Sequence, residues 1–123
     1  MKYLILIYNN VDSRQAWQAL PQVERAVGLA AYTELNEELE ASGEMIVASA
    51  LSDVSLTTRV LVTEGRTLTT DGPFAEAKEM LAGFYLVECA GLERAVEIAA
   101  RIPEAEFGVV EVRPTMELSG FVW

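Results

Sequence analysis

The sequence predicts a single α+β domain whose elements run in the order strand, helix, strand, inserted hairpin, strand, helix, strand. The chain has 123 residues, of which 51% are hydrophobic, and this is typical of one domain with its own core. Short apolar runs of strand length alternate along it with two longer segments in which apolar residues recur at helical spacing. Residues typical of turns separate these segments.

The first strand is predicted over residues 3–8, a continuous apolar run rich in β-branched and aromatic side chains, so both of its faces should be covered. Residues 9–14 are polar and are interpreted as a loop. A long amphipathic helix is predicted over residues 21–42, with Pro21 at its first position and Gly43 just past its end. Its apolar positions are Val23, Val27, Ala31, Leu35 and Leu39.

The later elements show the same two kinds of pattern. They are strands over residues 44–51, 58–63, 67–70, 83–89 and 108–113, and a helix with apolar positions Leu92, Ala95, Val96, Ala99 and Ile102. The segment Glu64-Gly65-Arg66 predicts a short hairpin loop, and residues 75–80 are expected to form one helical turn. Pro103 ends the second helix because proline cannot continue the helical hydrogen bonds.

Two βαβ halves in this order predict a ferredoxin-like βαββαβ sandwich with an inserted hairpin. Both long helices should lie on one face of the sheet, because the crossover connections are right-handed. The other face would then expose apolar side chains to water. We therefore expect a homodimer in which two copies pack sheet to sheet around a two-fold axis and enclose a central cavity.

The net charge argues against two classes of partner, nucleic acids and anionic membrane surfaces. Nineteen acidic residues against nine basic ones give a net charge of −10, which disfavours direct binding to nucleic acid or to an anionic membrane surface. The apolar run at residues 3–8 is too short for a signal-peptide core, and no stretch is long enough to span a membrane. A cytoplasmic protein is the expectation.

The sequence contains no histidine, which excludes Ser-His-Asp and Cys-His activation and every imidazole metal site. Any catalysis has to rest on carboxylates, lysine, tyrosine or backbone groups. The single cysteine, Cys89, lies in an apolar strand and is interpreted as an inert core residue. We expect no metal and no cofactor.

The last strand places two charged residues on one face. Val110 and Val112 alternate with Glu111 and Arg113, so if the valines meet the helices, the charged pair points into the space between the two sheets. Buried charges are costly unless they are paired. The pair is therefore either a structural ion pair, which is the commoner case, or a binding site for a polar ligand.

The segment Asp71-Gly72-Pro73-Phe74 has the composition of a turn. In the structural interpretation Asp71 accepts hydrogen bonds from nearby backbone, Gly72 supplies an unusual φ and Phe74 plugs the core. In the functional one, Asp71 is a carboxylate at the mouth of a cavity, with Lys78 close by. Tyr85, on a later strand, is a further candidate to line that cavity, although an aromatic residue in a strand more often serves packing.

Around this turn the sequence resembles the YCII-related, or DGPF-domain, family of small bacterial proteins. The resemblance rests on residues 70–79 (TDGPFAEAKE) and 81–86 (LAGFYL), with further agreement at residues 1–8, 100–103 and 108–114. It covers the chain up to Pro114, so residues 1–114 are assigned to the domain and residues 115–123 to an apolar C-terminal tail. This tail is expected either to pack on a partner subunit or to fray.

The resemblance implies the dimeric α+β-barrel form of the ferredoxin-like fold. Its broader superfamily includes lyases and isomerases that act on small ring-derived or muconate-type acids, and its YCII branch is associated with a His-Asp pair proposed to be catalytic. Here Asp71 could match only the carboxylate half, so the expectation leans against an enzyme. Proteins similar to the DGPF branch also occur beside, or fused to, extracytoplasmic-function sigma factors.

Three hypotheses about function are open. The first is a homodimer that binds a small organic acid through Asp71, Glu111 and Arg113 without chemistry. The second is a lyase or isomerase in which Asp71 or Glu111 is the general base. The third is a regulatory protein that docks on a sigma-factor-related partner through its acidic surface.

Overall fold

The computed structural model describes residues 1–74 and 78–120. The helices within them are α1 (Val11–Ala19), α2 (Gln22–Ser42) and α3 (Leu92–Ala100). The strands are β1 (Lys2–Asn9), β2 (Met45–Ala50), β3 (Thr58–Thr63), β4 (Arg66–Asp71), β5 (Met80–Glu88) and β6 (Val110–Pro114). Short 3-10 turns lie at Val54–Leu56, Pro103–Phe107 and Leu118–Gly120.

Strand β1 lies inside a four-stranded sheet of order β2-β5-β1-β6, in which every neighbouring pair is antiparallel. This is the strand order of the ferredoxin-like fold, so the predicted fold class is confirmed. Strands β3 and β4 form a separate two-stranded sheet, as expected for an inserted hairpin.

Both long helices pack on one face of the four-stranded sheet, which we call the helix-covered face. Leu35 and Leu39 of α2 and Ile98 of α3 are fully buried against Ile5 of β1 and Val87 of β5. Burying an aliphatic side chain of this size contributes about 1.5–3 kcal/mol. The chain therefore closes this face by itself.

The apolar stripe of α2 is buried only in its C-terminal half. Val23 and Val27 are exposed, whereas Leu35 and Leu39 are completely covered. The 21 residues of α2 span about 31 Å, while the eight residues of β1 span about 26 Å, so the helix is longer than the sheet beneath it. The predicted helix is present, but the apolar positions of its first half, Val23 and Val27, do not face the core.

Helix α3 shows a similar shift of its buried face. Ala95 and Ala99 are buried as predicted, together with Ile98, which lies on the same side of the helix. Leu92 and Val96, which were predicted to belong to the stripe, are about half exposed. The helix thus approaches the sheet through Ile98 and two small alanine residues.

Helix α1 was not predicted, because its polar first turn was interpreted as a loop. Asn10 caps it: the backbone N–H of Ser13 donates to Asn10 Oδ1 (2.7 Å), and the backbone N–H of Asn10 donates to Ser13 Oγ (2.8 Å). Two otherwise unpaired helix-end donors are satisfied in this way.

Trp17 on α1 lies against Gly28 of α2. A Cβ atom at Gly28 would meet the Trp17 ring at 3.1 Å, closer than most real contacts of this kind. Glycine in a helix interior is destabilising by up to about 1 kcal/mol relative to alanine, and here it allows the indole to approach. Pro21 precedes this helix as its N-cap rather than opening it, and Gly43 ends it in the left-handed conformation (φ 79°), as predicted.

The β3–β4 hairpin turns at Glu64-Gly65, where both residues have positive φ (51° and 72°), as a two-residue hairpin turn requires. Its residues are exposed on both faces, including Val60, Leu61 and Val62. The hairpin therefore lies outside the core.

The turn after this hairpin differs from its predicted packing. Phe74 is 69% exposed and lies under the guanidinium of Arg59, 4.7 Å from the ring centroid, so the prediction that it plugs the core was wrong. Gly72 has a φ of 90°, as predicted, and its N–H donates to the carbonyl of Thr57 (2.6 Å). No described residue donates a hydrogen bond to the Asp71 carboxylate. Because the hairpin stands away from the core, the turn has no core to fill.

Several smaller expectations fall near the segments that the structure leaves out. The helical turn predicted over residues 75–80 lies partly outside the described residues, but Lys78 and Glu79 form a bend and Met80 already begins β5. Of the apolar tail, Met116 and Leu118 are exposed, and residues 121–123 lie outside the described part. Cys89 is buried, as predicted. Among the described residues, no helix is long and apolar enough to cross a membrane.

Candidate functional site

The face of the sheet opposite the helices, which we call the outer face, carries apolar side chains that no described helix covers. Directly opposite residues of antiparallel strands point to the same side, so the register assigns each residue to a face. Those of the outer face are Leu4, Leu6, Tyr8, Val47, Ser49, Phe84, Leu86, Glu111 and Arg113. The four apolar side chains at the centre of this face remain only half-buried; they are Leu4, Leu6, Phe84 and Leu86.

Glu111 and Arg113 lie on this outer face. Glu111 is opposite Leu6 and Arg113 is opposite Leu4, while Val112 is opposite the buried Ile5. The predicted orientation of the pair is therefore correct. The two side chains do not pair with each other, since the ion pairs among the described residues lie elsewhere. Neither charged group takes part in an ion pair among the residues that the structure describes.

Tyr8 joins these two residues and was not among the predicted site residues. Burial and then the neighbouring Glu111 carboxylate raise the pKa of the Tyr8 hydroxyl, and the Arg113 charge opposes this. The hydroxyl therefore stays protonated at neutral pH and can donate a hydrogen bond. The alternation of Leu4, Leu6 and Tyr8 along β1 was the signal that could have revealed it.

A small cavity of about 260 Å³ lies at this corner, lined by Tyr8, Glu111, Glu79, Gly108 and Val109. Glu79 also lines a second cavity of about 480 Å³, on whose wall Lys78 lies. Lys78 thus borders a cavity adjacent to the Glu111 corner, although its side chain is exposed.

Asp71 is not brought together with these residues in one sheet. It is exposed on β4, in the hairpin that stands apart from the four-stranded sheet, whereas Glu111 lies on β6.

Tyr85 lies on the helix-covered face, so it cannot line a space between two sheets. Its ring is buried and its hydroxyl donates to the side-chain oxygen of Asn36 on α2. Burial and then the charge of Glu104 raise the pKa of Tyr85, while the contact with Asn36 lowers it. Glu88, three residues along β5, points to the opposite side and is exposed. Tyr85 instead borders a cleft beneath α2.

No group of three or more acidic or cysteine side chains among the described residues is arranged to hold a metal ion. The outer-face corner brings together the Tyr8 phenol, the Arg113 guanidinium and the carboxylates of Glu111 and Glu79. This set can orient a polar ligand by hydrogen bonds and by charge.

Comparison with known proteins agrees with the resemblance seen in the sequence. The model of the YCII-related domain matches residues 1–119. An uncharacterized protein of Rhizobium meliloti (strain 1021) is 33% identical over 116 residues, which cover 93% of this chain and 91% of that protein. The match extends over both βαβ halves and over the hairpin between them.

Proposed function

The chain belongs to the YCII-related family, and from this premise we propose that it acts as a homodimer that binds a small organic acid between the outer faces of its two sheets. The observation that carries the proposal is the outer face itself. It is apolar at its centre, no helix among the described residues covers it, and it is bordered by Glu111 and Arg113, which do not pair with each other.

The apolar centre of the outer face supports the dimer. Leu4, Leu6, Phe84 and Leu86 are contiguous across two paired strands and remain half in water. A patch of this kind is rarely left exposed, and a second copy covers it most simply because a two-fold axis brings identical patches together. Packed sheets lie about 10 Å apart, which leaves room for a cavity wherever the side chains are short or charged.

The charged corner supports an acidic ligand. Arg113 offers a guanidinium fork that matches the geometry of a carboxylate, and the protonated hydroxyl of Tyr8 offers a second donor. Glu111 accepts a hydrogen bond from a hydroxyl group of the ligand or repels a second carboxylate. The site therefore favours a monoacid with a neutral polar end.

The dimer is tested by light scattering on the purified chain at micromolar concentration, where we expect twice the mass of one subunit. A stable monomer would contradict both the dimer and the enclosed site.

The ligand class is tested by thermal shift with benzoate and 4-hydroxybenzoate as probes. We expect at least one acid to raise the Tm of the native protein, because a ligand bound to the folded state stabilises it. Arg113→Gln should abolish the shift, and the exposed hairpin variant Arg66→Gln should retain it. A shift that survives in Arg113→Gln would show that the acid binds elsewhere.

A lyase or isomerase remains the second candidate, and the position of Glu111 beside Tyr8 and Arg113 favours it over a base at Asp71. If the protein turns over a bound acid, Glu111→Gln should stop the reaction while binding persists, and Asp71→Asn should leave it unchanged. If no acid shifts the Tm, the result favours the third hypothesis, in which the protein docks on a sigma-factor-related partner through its acidic surface.

A further inference from the structure

A cleft of about 520 Å³ lies on the helix-covered side of the sheet, between α2 and the strands β2 and β5. Apolar side chains that face the helices form part of its wall: Ile7, Leu29, Ala48 and Ala50. Sites for small organic molecules have volumes of roughly 300–1,000 Å³ and combine apolar walls with a few convergent polar groups. The cleft has this size and make-up, and it lies on the side of the sheet opposite the outer face.

The two tyrosine hydroxyls that line the cleft already donate hydrogen bonds to other side chains of the protein. Tyr32 on α2 donates to a carboxylate oxygen of Glu104, in the turn after α3. Tyr85 on β5 is buried, and it donates to the side-chain oxygen of Asn36. A hydroxyl has one hydrogen and two lone pairs, so each phenol oxygen can now only accept.

The smaller hydroxyl on the helix side of the cleft is committed in the same way. Thr33 Oγ1 donates to the carbonyl of Leu29 (3.3 Å). The hydroxyl groups that the structure places around the cleft thus offer oxygen lone pairs rather than hydrogens. A ligand that donates hydrogen bonds matches them better than one that accepts.

Glu104 adds a negative charge that no described cation neutralises. It is the single charged side chain among the described residues lining the cleft. Arg14 lies in the cavity on the other side of Glu104, but its guanidinium is paired with Asp53 (3.8 Å). Burial and then Glu104 raise the pKa of Tyr32, so its hydroxyl keeps its proton and adds no second charge.

From these contacts we infer that the cleft binds a small amphipathic amine. The ammonium group donates to the Glu104 carboxylate and to the phenol oxygens, and the apolar part lies against the aliphatic wall. The rings of Tyr32 and Tyr85 add attraction for a cation. A carboxylate ligand is repelled by Glu104 and finds no hydroxyl hydrogen to accept. The inference does not depend on the dimer or on the outer-face site.

The test compares two ligands of the same shape and opposite charge, phenethylamine and hydrocinnamate, in titrations followed by nuclear magnetic resonance of the full-length protein. We expect phenethylamine to shift the amide signals of Asn36 and Gly83, which lie at the cleft. Hydrocinnamate should leave these two signals in place. If it binds at all, it should shift the signals of Glu111 and Arg113 on the outer face, which reports on the other proposal independently.

The carboxylate is tested with Glu104→Gln, which keeps an acceptor for Tyr32 and removes the charge. A hydrogen bond to a charged partner is about twice as strong as a neutral one, so the dissociation constant of phenethylamine should rise about tenfold. Glu106→Gln is the matched control, because Glu106 is exposed on the same turn and does not line the cleft. It should bind the amine as the native protein does.

Tyr32→Phe tests whether binding needs the charge of Glu104 or the hydrogen bond between Tyr32 and Glu104. It removes one phenol oxygen but frees a carboxylate oxygen of Glu104, which is the stronger acceptor for an ammonium group, so phenethylamine should bind about as tightly as to the native protein. The inference is overturned if phenethylamine leaves the Asn36 and Gly83 signals unmoved or if hydrocinnamate moves them equally. It is also overturned if Glu104→Gln, folded by circular dichroism, binds the amine unchanged, or if folded Tyr32→Phe loses binding as Glu104→Gln does.

Discussion

The two faces of the four-stranded sheet are built by the same strands and both have an apolar centre, yet the residues that the structure describes bury only one of them. On β1, Ile5 is completely buried under the helices, whereas its neighbours Leu4 and Leu6 are only half-buried on the outer face. On β5, Val87 and Leu86 differ in the same way. A strand that is apolar at every position indicates burial on both sides, and two helices can supply only one cover.

The largest expected effect sharpens this comparison within β1 itself. Ile5→Ala should lower the free energy of unfolding by about 2–5 kcal/mol, because it removes buried atoms and leaves a cavity under α2 and α3. Leu6→Ala, one residue along and on the opposite face, should cost less within one subunit. Urea denaturation of both variants measures the difference.

The contrast between these variants also depends on concentration. In the proposed dimer, the stability lost through Leu6→Ala belongs to the contact between the two copies, so it should shrink on dilution, whereas the loss through Ile5→Ala should not. Equal losses at every protein concentration would mean that the two faces are covered alike, and would break the comparison.

The second-largest expected effect is on the association of two copies in the proposed dimer. Leu6→Glu places a charge at the centre of the outer face of both copies, where burying one leucine contributes about 1.5–3 kcal/mol. We expect the dimer to weaken by at least about a hundredfold, on the order of 3 kcal/mol, while the secondary structure is kept. Light scattering and circular dichroism measure the two properties. Val23→Glu, at an exposed position of α2, should leave the dimer intact.

Much of the fold is predictable because its signals are local. The helical spacing of Leu35 and Leu39, the glycine at position 43 and the hairpin turn at Glu64-Gly65 each correspond to what the structure shows. Helix α1 was missed because its start depends on a capping pair, Asn10 with Ser13, within a polar stretch that has loop composition. Local composition cannot show that a hairpin stands away from the core, so the packing of the turn after it was predicted wrongly.

The candidate site residues also divide into those that a local pattern predicts and those that depend on how distant segments pack. Alternation along one strand is enough to place Glu111 and Arg113 on a common face, and the same rule reaches Tyr8 on β1. Tyr85 was placed in the wrong space, because its face depends on how β5 pairs with β1 and β2. The cleft under α2 joins Tyr32, Tyr85 and Glu104, which are far apart in the sequence, and no local pattern predicts such a group.

The smallest expected effect concerns the border of the helix-covered face, where polar rather than apolar contacts join the elements. Arg94 of α3 donates from Nε and from an Nη nitrogen to the two carboxylate oxygens of Glu44, which lies between α2 and β2 (2.9 and 2.8 Å). Such a paired contact lowers the pKa of Glu44, chiefly through the hydrogen bonds from Arg94. The interior of this face is apolar and should not respond to pH, whereas this contact should.

Because the pKa of Glu44 is lower in the folded than in the unfolded chain, its contribution to stability is fully present above the unfolded value of 4.5. The contribution is lost as the pH falls through the folded value. Glu44→Gln should therefore lower the free energy of unfolding by about 1 kcal/mol at neutral pH, and the difference should vanish in acid. Urea denaturation at several pH values measures it, with the exposed Glu37→Gln as control. A difference that persists in acid would show that Glu44 acts through packing rather than through its charge.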